Sequence, residues 1–336
     1  MLNPHSIPGK DGIYGEGGGG LGPKDPRGHF APGRDGTEAS TSDSAARPLR
    51  VAIVDSGVYP HSGLKGRLTE FVDLVNGLDQ PYDDYGHGTH LAGLITQPRL
   101  IDERLGRLEP DWEVVVVKVL NREGVGREST IIRGINWCLD SRDRLGIRVL
   151  NLSLGGAAEV AWHRDPLCRV VEEAWAAGLV VVTTAGNEGS RGPGSIRSPG
   201  NSPSVITVGA LGSRRRVASF SSRGPTADGE TKPDVVAVGT RVLSWRAPGS
   251  FLDLEYHRGR VGLEYFRQTG SSVSTAAVSG LVAAVLTEHP ELTPDQVKEL
   301  LRRRAVDLGV DRRQQGFGMV DPVRLLAADP VPPPVS

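Results

Sequence analysis

Short apolar runs, rich in β-branched residues, recur along the middle of the chain. The five clearest are Val51–Val54, Val114–Leu120, Val149–Leu154, Leu179–Thr184 and Val205–Val208. Each run is nearly continuous rather than alternating, which is typical of strands that are buried on both faces. The pattern therefore predicts a mostly parallel sheet inside the protein.

Helical patterns separate these runs and follow them. In the first pattern, Ile131, Ile135 and Leu139 recur every four residues. Capping residues predict helix starts at Ser129 or Thr130, at Asp165-Pro166 and at Thr293-Pro294, and the last two helices are predicted over about 273–288 and 294–305. Alternating strands and helices predict an α/β fold whose sheet is covered on both faces. Such sheets carry their chemistry at the C-terminal ends of the strands.

The two ends of the chain differ from this middle part. Residues 1–48 are roughly one third glycine plus proline and show neither helical nor strand period, so we predict that they are disordered. Residues 327–336 form a Pro-rich tail, which leaves one folded domain over residues 49–326. The first 25 residues contain no apolar stretch of the kind found in secretory signals. We therefore expect a cytoplasmic protein in which Cys138 and Cys168 are reduced.

Composition excludes several classes of protein. The 336 residues include 39 basic and 40 acidic side chains, a formal net charge of −1, which argues against a nucleic-acid-binding surface. No run approaches the roughly 18 apolar residues of a membrane span. Two cysteines cannot form a disulfide framework. We expect a globular protein with neither a nucleic-acid nor a membrane partner, and the oligomeric state stays open.

Four polar residues stand at predicted strand ends or helix starts. Asp55 and Asn187 follow apolar runs, whereas His87 and Ser272 precede apolar helices. A serine hydroxyl needs a base to take its proton, usually an imidazole, and the imidazole needs a carboxylate to orient it. The oxygen of a tetrahedral intermediate needs a hydrogen-bond donor already in position. The four residues supply one group for each task and predict a nucleophilic hydrolase.

The chain order Asp, His, Ser resembles that of the subtilases, the subtilisin-like serine peptidases. The segments that resemble family motifs are VAIVDSGV (51–58), GHGTHLAG (86–93), NLSLGG (151–156), TTAGNEG (183–189) and TGSSVSTAAVSG (269–280). Within the family, DPLCRVVEEAW and RVGLEYFRQTGSS resemble the AprX-type intracellular subtilases. The resemblance covers about residues 50–325. It implies a subtilisin-like three-layer α/β/α fold and a serine endopeptidase.

The resemblance also implies a role for each of the four residues. Ser272 would attack the scissile carbonyl, and His87 would act first as base and then as acid. Asp55 would orient His87. The side-chain amide of Asn187, together with the backbone N–H of Ser272, would hold the oxyanion.

By the same resemblance, a protein or peptide substrate would bind as an extended strand. Its backbone would lie against Ser153, Leu154 and Gly155. Ala185 and Gly186 would form part of the wall of the pocket for the residue just before the cut.

Arg197 stands where the family usually has a small residue at the base of that pocket. A partly buried guanidinium would attract Glu or Asp just before the cut, because it can bind a carboxylate through two parallel hydrogen bonds. The alternative is that Arg197 points to solvent or is neutralised by Glu188.

The serine motif departs from the usual Gly-Thr-Ser-Met-Ala-Thr-Pro at four positions. The replacements are Ser271, Val273, Ser274 and Ala276. They leave the activity level open and allow an alternative, an inactive subtilase that serves as a peptide-binding module. An esterase is a third reading.

Neither a cofactor nor a metal ion is predicted. The common calcium site of the family would draw on the positions of Gly63 and of residues 96–110, where the expected Asp and the Asn-rich loop are missing. His90 lies three residues after His87 and could suggest a zinc pair, but no third ligand is near in the sequence. A structural hydrogen-bonding role is expected for His90.

Overall fold

The structure is a computed structural model that describes residues 48–106, 108 and 110–327. Its main sheet contains seven strands, all paired in parallel, in the order β2-β3-β1-β4-β5-β6-β7. These strands are β1 (Leu49–Asp55), β2 (Leu68–Asp73), β3 (Trp112–Lys118), β4 (Ile147–Leu152), β5 (Val180–Thr184), β6 (Ile206–Leu211) and β7 (Val235–Val238). Residues 1–47 and 328–336 lie outside the described residues, so the predicted disorder of residues 1–48 and the predicted tail at 327–336 stay predictions.

A smaller antiparallel sheet has the order β8-β10-β9. Its strands are β8 (Val242–Trp245), β9 (Arg260–Val261) and β10 (Tyr265–Gln268). The α-helices are α1 (His87–Thr96), α2 (Glu128–Leu145), α3 (Pro166–Ala176), α4 (Phe251–Glu255), α5 (Ser271–Glu288), α6 (Pro294–Arg304), α7 (Arg312–Gln315) and α8 (Pro322–Leu326).

All five predicted strands are present, within a few residues of their predicted bounds, as β1, β3, β4, β5 and β6. The expectation of a mostly parallel sheet is confirmed, since every pairing in the main sheet is parallel. The prediction missed β2 and β7, which form the two edges of this sheet. Most side chains of β2 are only partly buried, so its sequence lacks the continuous apolar run on which the prediction depended.

The predicted helix starts are correct in two of three cases. The Asp165 carboxylate accepts hydrogen bonds from the backbone N–H groups of Leu167 and Cys168, and Thr293 forms a capping box with Gln296. The predicted cap at Ser129 or Thr130 is wrong, because α2 already begins at Glu128 after an extended Arg127. Both hydroxyl residues therefore lie inside the first turn.

Helices cover both faces of the main sheet, which confirms the three-layer α/β/α architecture. Helices α1 and α5 pack against each other and against β1, while α2 and α3 form a second pair that packs on β1, β4 and β5. Of the described helices, α5 is long and apolar enough to cross a membrane by length and composition, but 89% of it is buried inside the fold. It is the central core helix, and its first turn lies at the carboxyl edge of the sheet.

Candidate active site

The residues predicted for catalysis and for substrate binding lie on segments that meet at the carboxyl edge of the main sheet. Asp55 is the last residue of β1, and His87 is the first residue of α1. Ser153, Leu154 and Gly155 follow β4, while Ala185, Gly186 and Asn187 follow β5. Ser272 lies in the first turn of α5. Parallel strands end at the same edge, so residues far apart in sequence meet there.

The carboxylate of Asp55 is fully buried and contacts the imidazole of His87. The distance from Asp55 Oδ1 to His87 Nδ1 is 2.8 Å, and the backbone N–H of Ser56 donates to the same oxygen at 2.7 Å. An acceptor on Nδ1 fixes the tautomer in which this nitrogen carries the proton, which leaves Nε2 as the basic nitrogen. The pair can therefore orient a base in the way that proton abstraction from a hydroxyl requires.

Ser272 is joined to the segment after β4 by two reciprocal hydrogen bonds. Its Oγ donates to the backbone carbonyl of Ser153 at 2.9 Å, and Ser153 Oγ donates to the backbone carbonyl of Ser272 at 3.0 Å. The Asn151 side chain in turn donates to Ser153 Oγ at 3.1 Å. These bonds hold the first turn of α5 against the segment that follows β4.

The side-chain orientation of Asn187 is set by Ser271. Asn187 Oδ1 accepts from the backbone N–H of Ser271 at 2.8 Å and from its hydroxyl at 2.9 Å. Thr184 Oγ1 lies 2.6 Å from the same hydroxyl. An added Cβ on Gly270 would lie 3.4 Å from Asn187 Nδ2, 3.7 Å from Asn187 Oδ1 and 3.9 Å from the backbone nitrogen of Ser272. The Asn187 amide and the backbone nitrogen of Ser272 therefore both lie beside Gly270.

Arg197 lies between the segments that follow β4 and β5. A Cβ on Gly186 would overlap Arg197 Cγ, and a Cβ on Gly155 would lie 3.4 Å from Arg197 Cβ. The Arg197 side chain is only 11% exposed, and its Nη1 lies 3.1 Å from Glu188 Oε1. Glu188 also contacts Arg191 at 2.8 Å. The guanidinium at this position is therefore already paired with a carboxylate of its own chain.

Lys118 is a buried cation that the sequence-based prediction missed, and it lies opposite Asp55 where strands β1 and β3 pair. Lys118 is fully buried at the end of β3, and its ammonium group donates to the backbone carbonyls of Ser56 and Leu120, both at 2.7 Å, and to Asp84 at 2.6 Å. The signal was present in the sequence, since a lysine interrupts the otherwise apolar run Val114–Leu120. Lys118 ties the turn after Asp55 to the next strand of the sheet.

Within the described residues, no cluster of three or more His, Cys, Asp or Glu side chains could hold a metal ion. Burial lowers the pKa of His90 to about 3, and its Nε2 lies 3.1 Å from the backbone carbonyl of Val242. At Gly63, the position expected to supply a calcium ligand in the family, a Cβ would overlap the ring of Trp245. A carboxylate at residue 63 does not fit this packing, so the common calcium site of the family does not match these residues. The absence of any metal requirement stays a prediction.

Known proteins resemble this chain over most of its length. The model of the Subtilase family (Peptidase_S8) matches residues 47–319. The chain is 45% identical to the serine protease AprX of Bacillus subtilis (strain 168) over 268 residues, which are 76% of this chain and 60% of AprX. It is 33% identical to subtilisin DY of Bacillus licheniformis over 277 residues, covering 81% of this chain and 89% of that protein.

Solved structures give the same result. The crystal structure of a cold adapted subtilisin-like serine proteinase matches with a TM-score of 0.63 and 27% sequence identity, covering 82% of this chain and 87% of that chain. The family match spans most of the chain and both sheet edges. The chain therefore belongs to the Subtilase family.

Proposed function

We propose that this protein is a serine endopeptidase. The observation that carries the proposal is the 2.8 Å contact between Asp55 and His87, at the sheet edge where Ser272 lies in the first turn of α5. Family membership supports it, because the relatives at 45% and 33% identity are named as a serine protease and a subtilisin. The chain matches only 60% of the length of AprX. The proposal therefore rests on this chain's own residues and does not attribute to it every activity of the longer protein.

In the proposed mechanism, Ser272 is the nucleophile. His87 Nε2 takes the hydroxyl proton as Ser272 Oγ forms a bond to the scissile carbonyl carbon. The same proton passes to the leaving amine when the C–N bond breaks, which leaves an acyl-enzyme. Water, deprotonated by His87, then attacks the acyl carbon. The bond between that carbon and Ser272 Oγ breaks, His87 returns the proton to Ser272 Oγ, and the acid is released. Asp55 keeps the imidazole oriented and stabilises its cationic form throughout.

The oxyanion of each tetrahedral intermediate would be held by two donors. These are Asn187 Nδ2 and the backbone N–H of Ser272, which flank Gly270. Donors fixed before the reaction stabilise the developing charge without reorganising, and one such donor is worth about 10²–10³ in kcat. The hydroxyl of Ser271, which replaces the usual threonine, fixes the Asn187 amide through Oδ1.

A peptide substrate would add as an extended strand along Ser153, Leu154 and Gly155. The side chain before the cut would enter the space bounded by Ala185 and Gly186, with Arg197 at its base. In the resting protein the Ser153 carbonyl accepts the Ser272 hydroxyl. A substrate N–H that donates to this carbonyl would free the hydroxyl to turn towards His87.

The experiment is a comparison of wild type with Ser272→Ala. Wild type should hydrolyse peptides and react with a fluorophosphonate probe, and the variant should do neither, since loss of a triad residue costs about 10⁶ in turnover. Residual hydrolysis within about tenfold of wild type would refute the mechanism. A wild type that binds peptides but is not labelled would instead be the peptide-binding module, and turnover of activated esters without peptides would indicate an esterase.

We also propose a cytoplasmic location. Both cysteines are buried and form no disulfide, which is what a reducing compartment favours. Fractionation of cells that produce the protein tests the location directly.

A further inference from the structure

The contact between Asp55 and His87 joins two elements that are 32 residues apart in the chain. Asp55 ends β1, and His87 begins α1. The sheet ladder sets the position of Asp55, but it does not reach α1. Some other contact must hold the start of α1 at the distance that a hydrogen bond requires.

Asp83, a buried residue that the mechanism does not use, makes this connection. Its Oδ1 accepts from the hydroxyl of Ser56 at 2.9 Å and from the backbone N–H of Gly86 at 2.7 Å. Its Oδ2 accepts from the backbone N–H of Thr89 at 2.8 Å and from the Thr89 hydroxyl at 2.6 Å. One carboxylate therefore binds the residue after Asp55, the residue before His87 and the second residue after His87. All four acceptor positions of a carboxylate are used.

Ser56 closes the connection from the other side. Its Oγ donates to Asp83 and accepts from the backbone N–H of Gly88 at 3.0 Å. Its backbone N–H donates to the same Asp55 oxygen that contacts His87. Contact between the two segments is close, because a Cβ on Gly88 would overlap the backbone carbonyl of Gly57. The turn after Asp55 and the start of α1 are thus fastened by direct hydrogen bonds.

We propose that Asp83 and Ser56 are positioning residues for catalysis. Through the Ser56 hydroxyl they hold the His87 imidazole at hydrogen-bonding distance from the Asp55 carboxylate. This inference rests on the proposed function. Neither residue touches the reacting atoms, so both act on turnover through the orientation of His87. Small displacements of a catalytic group cost much of the rate, and a shift of about 1 Å can cost about 10²-fold.

The test uses Ser56→Ala, which removes one oxygen atom and leaves the carboxylate of Asp83 in place. We expect kcat on a peptide to fall by about tenfold or more. KM should stay within about twofold, because the proposed substrate-binding segment Ser153–Gly155 is not altered. The rate of fluorophosphonate labelling of Ser272 should fall in parallel. Ser56→Thr, which keeps the hydroxyl, should retain most of the turnover. Asp83→Asn should reduce turnover further. Its amide NH2 group is itself a donor and would face the N–H and O–H donors that the carboxylate now accepts from.

The matched control is Ser244→Ala. Ser244 is also fully buried, and its hydroxyl donates to the backbone carbonyl of His90 in the same helix α1 at 2.7 Å. We expect this variant to lose thermal stability as Ser56→Ala does but to keep kcat within about twofold. The inference is overturned if Ser56→Ala keeps the kcat of wild type, or if Ser244→Ala and Ser56→Ala lose kcat equally. A wild type that does not label, or an active Ser272→Ala, would refute the proposed function itself, so the two failures are distinguishable.

Discussion

At the scale of single residues, one glycine makes room for an arginine. Gly186 has no side chain where the Arg197 side chain passes, and it has the positive φ of +101° that favours glycine. The Arg197–Glu188 pair means that a substrate carboxylate must share the guanidinium with Glu188. The two alternatives raised by the sequence, recognition of acidic side chains and neutralisation by Glu188, therefore compete at the same group.

We predict that wild type prefers Glu to Leu or Phe just before the cut, and that Glu188→Gln strengthens this preference. Removing the competing charge should raise the ratio of kcat/KM for Glu over Leu by about tenfold, or about 1.4 kcal/mol. Arg197→Ala should abolish the preference. The measurement is kcat/KM on peptides that differ only at this residue.

Arg191→Ala is the control for that series. Arg191 also pairs with Glu188, but its side chain is 72% exposed, so its loss should change the ratio little. A wild type that prefers Leu or Phe, or an Arg197→Ala variant with an unchanged ranking, would contradict the prediction.

At the scale of elements, helix α3 has a cap that can be tested apart from catalysis. The Asp165 carboxylate accepts from the backbone N–H groups of Leu167 at 2.9 Å and Cys168 at 3.2 Å. Asp165→Ala should lower the free energy of unfolding by about 1 kcal/mol, and Asp165→Asn, which keeps an acceptor, by much less. Urea unfolding measures both values, and kcat should not change. An Asp165→Ala variant as stable as wild type would show that this cap contributes nothing.

Helix α6 is attached to the sheet through a buried charge cluster around Asp234. The carboxylate contacts Lys232 at 2.8 Å, Lys298 at 3.2 Å and Arg302 at 2.7 Å. Burial raises the pKa of Asp234, but the three cations outweigh burial and hold this pKa well below its usual range. Burial, with Lys232 adding to it, lowers the pKa of Lys298 to about 7, since two ammonium groups share one carboxylate. The cluster therefore favours the ionised form of Asp234 and disfavours the charged form of Lys298.

The charges around Asp234 predict how the free energy of unfolding depends on pH. Because the pKa of Asp234 is lower in the folded than in the unfolded chain, its contribution is fully present above the unfolded pKa of about 4 and is lost as pH falls. Asp234→Asn should lower the free energy of unfolding at pH 7 by about 3 kcal/mol or more, since it leaves buried cations unpaired. The same variant should show a smaller further loss between about pH 5 and pH 2. Urea unfolding at several pH values checks both, and identical slopes for wild type and variant would rule out this role.

At the scale of the whole molecule, aromatic packing occupies the region where the family commonly uses an ion. The rings of His61 and Trp245 stack with centroids 4.7 Å apart, and Trp245 fills the space beside Gly63. This packing fastens the segment after β1 to β8 in the smaller sheet. Side chains of the protein itself hold these two parts together.

We predict that EDTA shifts the melting temperature by less than about 2 °C, whereas removal of a stabilising ion would lower it by several degrees. Gly63→Ala should lower the free energy of unfolding by about 1–3 kcal/mol, because its Cβ would overlap Trp245. Gly212→Ala is the control, since its nearest neighbour would lie at an ordinary 3.7 Å. Calorimetry measures all three, and a drop of many degrees with EDTA would indicate a metal site elsewhere in the chain.

The interior of the sheet was predictable from the sequence, and the edge strand β2 was not. Strands β1, β3, β4, β5 and β6 are buried on both faces, so each is a short apolar run that stands out in the sequence. β2 is a half-buried edge strand and carries no such run. The caps at Asp165 and Thr293 were also predictable, because a cap and its N–H partners lie within three residues.

The sequence by itself determined the fold class, the order of the buried strands along the chain and the segments that meet at the carboxyl edge of the sheet. These features depend on patterns that act over a few residues. Only the tertiary structure decided that Glu188 pairs with Arg197, that Lys118 supports the turn after Asp55 and that Asp83 joins this turn to α1. In a local pattern, a polar side chain before a helix reads as a turn residue or a cap. Its role at the site depends on which distant segment the folded chain brings within about 3 Å, the range over which a hydrogen bond acts.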